Sequence, residues 1–358
     1  YSKAKRLNPA VCGSGLFMEA IEQNPVYYEL AFEMPCHPDS IDLRAWLKQY
    51  ATRRYGAFSP ATQKAWMLLL EGPYRQGTNG TEKSSIVAAR PALDVKKSGP
   101  NAGLEIPYDP ALIIRAQSLL LEDADKLSAS RPYRFDLVDV QRQMMTNLGQ
   151  LIHRKAAEAF RSKDREAFTL HSGRFLGMLA DMDTLLRTRS EYSFDRWLTE
   201  ARSWGETEEE KNQMERDATS LVTIWGADGD PRIFDYSWRE WAGLINGYYL
   251  PRWQKFYTML QQHLDEGTSY EEAGLPQIYG REAFRANDFY HALAEWELSY
   301  VDTYGKARIP ATEGDEVDIV KRLFKKYFKL SQEYYTDSIK LTKPSRDERT
   351  YENLGEDL

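Results

Sequence analysis

The chain is poor in the features that announce the commonest chemistries. Its 358 residues hold two cysteines, Cys12 and Cys36. That excludes a disulfide framework and a four-thiolate zinc site, and leaves the compartment open. The five histidines form no His-x-x-x-His pair, and no Cys-x-x-Cys occurs, so the sequence carries no metal signature. No Gly-x-Gly-x-x-Gly or Gly-x-x-x-x-Gly-Lys-Ser/Thr run precedes a helix, so no phosphate or nucleotide cofactor is expected. Basic residues are not in excess: 47 Lys+Arg stand against 54 Asp+Glu, a formal net charge of −7. A general nucleic-acid partner needs a basic face to neutralise phosphates, and an anionic membrane surface does too. No apolar run reaches the roughly 18 residues of a membrane span. The first residue is Tyr1, with neither a Met nor a signal peptide, and the chain reads as a piece of a longer polypeptide.

Aromatic residues are what the chain has in plenty: 22 Tyr, 14 Phe and 9 Trp, ample apolar area for a core. Helix signals dominate. Asn24-Pro25, Ser59-Pro60 and Asp109-Pro110 each put a capping residue before a proline, whose missing N–H costs nothing in the first turn. Thr207 and Glu210 have capping-box spacing. Apolar stripes at helical spacing follow: Leu43, Trp46, Leu47 and Tyr50; Leu112, Ala116, Leu119 and Leu120. Two longer stripes run from Leu137 to Leu151 and from Phe168 to Leu186. Another takes in Met214, Ala218, Leu221 and Trp225. Further helices are expected near 237–263, 281–304 and 315–336.

Strand signals are few. Residues 9–15, apolar and closed by glycines, form the clearest one, and a lone strand needs a sheet to satisfy its backbone. Residues 76–103, rich in Gly, Ser, Asn and Thr, read as loop and as a soft boundary. They contain the sequon Asn79-Gly80-Thr81.

Candidate chemistry rests on carboxylates and aromatic rings. Cys12-Gly13-Ser14-Gly15 lacks the first glycine of a nucleophile elbow and reads as a tight turn. Glu19 follows the strand-like run and is preceded by Leu16, Phe17 and Met18. A carboxylate just past a strand end is where barrel glycosidases hold theirs. Asp235-Tyr236-Ser-Trp238-Arg-Glu-Trp241 and Tyr248-Tyr249-Leu-Pro251-Arg252-Trp253 could stack on sugar faces, or fill a helix–helix core.

These residues carry a resemblance. Gly13-Ser-Gly-Leu-Phe-Met-Glu19 through Leu30 resembles the nucleophile segment of the α-N-acetylglucosaminidases, family 89 of the glycoside hydrolases. Arg53-Arg54-Tyr55-Gly56, Arg90-Pro91, Tyr133 through Asp139 with Arg142-Gln143, Trp225-Gly226, Asp235-Tyr236, Ala242 through Trp253 and Gly314 through Asp318 follow in the family's order. The resemblance implies a mainly α chain, with a C-terminal remnant of a (β/α)8 barrel (1–75) followed by an all-helical bundle domain (76–358). It implies a retaining exo-glycosidase acting on terminal α-linked N-acetylglucosamine of heparan sulfate or mucin-type glycans, exported or lysosomal, with no cofactor. Glu19 then corresponds to the nucleophile. The acid/base Glu lies upstream, in the N-terminal part of the same polypeptide, so this chain alone is expected to be inactive. Trp225, Ile233 and Tyr236 match residues that wall the sugar pocket, although the segment before Ile233 is two residues longer than in the animal form. Arg252 matches a position expected to pair with an acid. The competing expectation is a non-catalytic helical interaction module.

Overall fold

The computed structural model describes residues 2–17, 24–37, 41–75, 84–99, 103–226, 233–270, 272, 288–306 and 312–335. In chain order the helices are α1 (Ser2–Leu7), α2 (Pro25–Glu33), α3 (Leu43–Tyr55), α4 (Pro60–Glu71), α5 (Pro110–Glu122) and α6 (Ala124–Leu127). Then come α7 (Arg131–Arg161), α8 (Arg165–Leu186), α9 (Phe194–Arg202) and α10 (Glu208–Leu221). A π-turn (Ile245–Tyr249) leads into α11 (Leu250–Glu266), followed by α12 (Asp288–Asp302) and α13 (Glu316–Tyr334). No helix among the described residues is long and apolar enough to cross a membrane.

Caps set most of the boundaries. The Asp42 carboxylate accepts from the Arg44 and Ala45 amides, and Gly56 closes α3 at φ 75°, where a side chain would be strained. Ser59 and Asp109 cap α4 and α5 through their side chains. Asn24 holds the cap position of α2, but its side chain accepts no bond there. Thr207 and Glu210 make both bonds of the capping box.

The spine is the hairpin of α7 and α8, turned by the short link 162–164. Leu137, Met144 and Leu148 of α7 and Phe175, Leu179 and Met182 of α8 are fully or almost fully buried. The helices α5 and α13 pack on α7, α11 packs on α8, and α4 joins α3 to α5. One continuous core runs from Val26 to Tyr335 through all of them.

Three local expectations are corrected. Residues 9–15 form no strand, because no second strand among the described residues offers them a ladder; the β pairing seen is one isolated bridge, Ser193 with Ala242. Of the Met214–Trp225 stripe only Ala218 belongs to the buried face of α10. That face is Glu215, Ala218, Thr219 and Ser220, while Leu221 is exposed and Trp225 lies beyond the helix end. Glu215 tolerates burial because Arg202 bonds it at 2.9 Å and the Lys306 amide donates to it at 2.6 Å. Helix α11 starts only at Leu250, after the π-turn.

Within the loop-like stretch, residues 84–93 are irregular yet buried. Backbone groups withdrawn from water need partners. The Val87, Ala88 and Pro91 carbonyls accept from Trp253 Nε1, Arg252 Nη2 and the Tyr290 hydroxyl. The sequon lies outside the described residues. Both cysteines are exposed and unbridged.

Candidate functional site

Glu19 lies outside the described residues, so the site is built from its aromatic side. After α10 ends, the chain turns sharply at Trp225, whose φ of 56° is left-handed. A bulky residue rarely takes that conformation, which costs on the order of 1–3 kcal/mol and persists only where the surroundings impose it. Ser220 imposes it here: its carbonyl accepts the Trp225 amide at 2.6 Å and its hydroxyl accepts the Gly226 amide at 2.7 Å.

The chain returns at Ile233, and a second left-handed residue, Asp235 at φ 58°, turns it again. The Asp235 amide donates to the Thr223 carbonyl at 2.7 Å, tying the returning segment to the departing one. The Tyr236 amide donates to the Ile233 carbonyl at 3.1 Å. Beneath the turn, Ile224 and Phe234 are buried against Val301 of α12. Above it, the Trp225 and Tyr236 rings stand 4.8 Å apart at 44°, both partly exposed. The Ile233 side chain is 37% exposed. The structure therefore brings Trp225 and Tyr236 together, with Ile233 in the same turn.

Four buried charged groups from four segments hold this turn. Arg252 of α11 bonds both Asp235 oxygens from Nη1, at 2.9 and 3.1 Å. The same nitrogen reaches Glu297 of α12 at 3.1 Å, and Nη2 donates to the Ala88 carbonyl. Arg90 completes the set with two bonds to Glu297, at 2.8 and 3.1 Å. Two guanidinium groups thus face two carboxyl groups in the buried cluster. Tyr248 and Tyr249 of the π-turn present ring faces to the Arg252 guanidinium, 4.6 and 5.1 Å away. Burial, with Glu297 beside it, pushes the Asp235 carboxyl up to about 7 against the pull of Arg252. Burial also works against the Arg252 charge, but Asp235, Tyr248 and Glu297 outweigh it and hold the guanidinium well above its ordinary range.

Sequence reading expected an acid for Arg252 and found neither Glu297 nor the role of Arg90. The signal was faint: Arg90 sits in an Ala-Ala-Arg-Pro-Ala-Leu run and Glu297 next to Trp296, charges in apolar surroundings.

A neighbouring polar cluster extends from Tyr236 along the chain. Glu240 is buried and accepts from Ser85 Oγ at 2.5 Å, from Thr146 Oγ1 at 2.7 Å and from Arg142. Arg142 also bonds Asp139 of α7, on the wall of a 170 Å³ cleft faced by Trp66 and Tyr74.

A protein-family model described as "Alpha-N-acetylglucosaminidase (NAGLU) C-terminal domain" matches residues 46–326. Human alpha-N-acetylglucosaminidase is 32% identical over 328 residues, which are 90% of this chain and 40% of that protein. A family 89 glycoside hydrolase from Clostridium perfringens in complex with PUGNAc superimposes with a TM-score of 0.74 at 27% identity, covering 85% of this chain and 34% of that one. A Clostridium perfringens protein with two Glu→Gln substitutions, in complex with its substrate GlcNAc-α-1,4-galactose, superimposes at 0.81 and 27% identity, covering 93% and 37%. This chain thus spans about two fifths of the human relative's length.

Proposed function

Because this chain belongs to the α-N-acetylglucosaminidase C-terminal domain family, we propose that it is the C-terminal part of a retaining exo-glycosidase. That enzyme removes terminal non-reducing α-linked N-acetylglucosamine from glycans, heparan sulfate or mucin-type. The observation that carries the reading is the Trp225–Tyr236 pair, two partly exposed rings fixed at 4.8 Å on a strained, cross-tied turn. Rigid ring faces beside polar groups suit the apolar face of a pyranose. Ile233 adds an aliphatic edge to the same wall.

The chemistry follows from two carboxyl groups about 5–5.5 Å apart. The Glu19 carboxylate attacks the anomeric carbon while a second Glu, upstream of this chain in the same polypeptide, protonates the departing oxygen. A glycosyl ester on Glu19 results. The second Glu then takes a proton from water, which displaces the sugar and frees Glu19. The double Glu→Gln substitution in the Clostridium perfringens substrate complex fits two such carboxyls acting there.

In this reading residues 1–75 are the end of the (β/α)8 catalytic barrel and residues 76–358 are the C-terminal all-helical domain. The partners are the glycan and the N-terminal part of the same polypeptide, and the compartment is exported or lysosomal. The test is hydrolysis of an aryl α-N-acetylglucosaminide. Chain 1–358 alone should be inactive and the longer polypeptide active. In the latter Glu19→Gln should lower kcat by several orders of magnitude, and Trp225→Ala should raise KM about tenfold. Near-normal turnover of Glu19→Gln would sink the nucleophile assignment.

A further inference from the structure

The backbone that carries Trp225 and the backbone that carries Tyr236 are held by more than exposed rings need. Two non-glycine residues, Trp225 and Asp235, sit in left-handed conformations, and the segments carrying them are tied by one backbone bond from Asp235 to Thr223. The anchor below Asp235 is ionic and fully buried. Apolar side chains of similar volume would fill that space at equal or lower cost, so stability alone does not call for it. What an ionic anchor provides is direction: Arg252 reaches Asp235, Glu297 and the Ala88 carbonyl at once, from three segments far apart in sequence. Asp235 adjoins Tyr236, and its amide partner Thr223 lies two residues before Trp225. Moving Asp235 therefore moves one ring against the other.

We infer that Arg252 and Glu297 are positioning residues, which set the separation and tilt of the Trp225–Tyr236 ring pair through Asp235 and so tune the hold on the terminal sugar without touching it. This rests on the reading of that ring pair as a sugar wall. Arg90 holds Glu297 from the other side with two bonds of its own, at 2.8 and 3.1 Å. Gly99 offers an independent handle, because a β-carbon there would stand 2.9 Å from the Asp235 carbonyl oxygen and press on the turn while leaving every charge in place.

The experiment is steady-state kinetics on the full-length enzyme carrying Arg252→Lys, Glu297→Gln or Gly99→Ala, with Trp225→Ala as the reference. Active-site titration and melting temperature report the folded fraction. A lysine has one nitrogen where Arg252 uses two, so it cannot keep the Nη1 bonds to Asp235 and Glu297 together with the Nη2 bond to the Ala88 carbonyl, and a neutral amide weakens the Arg252 and Arg90 bonds. Each of the three variants should raise KM roughly five- to twentyfold with kcat per active site within about twofold, the signature of lost uniform binding. A merely structural role would lower the active fraction and leave KM alone. Unchanged KM in the three variants, with Trp225→Ala raising it, overturns the inference and leaves the sugar wall standing. Unchanged KM in Trp225→Ala removes the sugar wall itself, and the inference with it. Should the two charge variants fail to fold, Gly99→Ala alone decides: a raised KM supports positioning, a normal KM refutes it.

Discussion

Arg54 of α3 grips Asp136 of α7 across 82 positions of sequence, Nε to Oδ2 at 2.7 Å and Nη2 to Oδ1 at 2.8 Å. The Tyr55 hydroxyl adds a third bond to the same carboxylate at 2.8 Å, and Trp66 Nε1 donates to that hydroxyl at 2.9 Å. The fork clamps the first helices onto the spine. Removing one member strands the other in a site with almost no water. Arg54→Met should therefore cost about 3–5 kcal/mol of unfolding free energy. Replacing both partners, Arg54→Met with Asp136→Leu, should cost less than Arg54→Met alone. Urea unfolding of the single and double variants measures this, and an additive double variant would refute the coupling.

His153 of α7 sits among Trp253, Phe175 and Tyr257, and the Tyr257 hydroxyl lies 2.8 Å from its Nδ1. Burial pushes the imidazole down to about 4. A histidine depressed in the folded state contributes stability that is present above its unfolded value near 6.5 and lost as pH falls toward 4, because the unfolded chain takes up the proton first. The loss should approach ~3 kcal/mol at pH 4. Asp235, raised to about 7, acts with the opposite sign over much of the same range. The diagnostic quantity is thus the difference between wild type and His153→Gln. The variant should lose less stability than wild type between pH 7 and 4.5, and parallel curves would refute the assignment.

Gly205 precedes the capping box of α10. A β-carbon there would lie 2.5 Å from the Lys211 backbone nitrogen and 2.8 Å from the Glu210 carbonyl carbon. Backbone cannot yield as a flexible side chain can, so Gly205→Ala should destabilise by about 1–3 kcal/mol. Thr207→Ala removes one cap bond and should cost about 1 kcal/mol. Thermal melts separate the two, and a neutral Gly205→Ala would show that the link before α10 gives way freely.

Local chemistry made much of the helical frame legible. Asp42, Ser59, Asp109 and the Thr207–Glu210 pair act within a few residues, and the α7 and α8 stripes follow from the helical repeat. The pairing of Trp225 with Tyr236 was reachable through the family resemblance. What could not be read was long-range. Glu215 and Glu297 are acids that burial would ordinarily exclude; Glu297 is made tolerable by Arg90, 207 positions away, and Glu215 by Arg202 together with the Lys306 amide, 91 positions away. The polar composition of the stretch 76–103 likewise hid the buried run at 84–93, three of whose carbonyls find their partners more than 150 residues away.

That buried run also constrains the order of folding. The Ala88 carbonyl meets Arg252 across 164 positions, and Arg90 meets Glu297 across 207. Closing loops of that length carries an entropy cost that a contact between chain neighbours, such as the α7–α8 hairpin, avoids. On a ribosome, α7 and α8 can zip up while the run at 84–93 still has no one to answer its carbonyls. The anchor beneath the aromatic pair is complete only once Glu297 of α12 has been synthesised and has met Arg252 and Arg90.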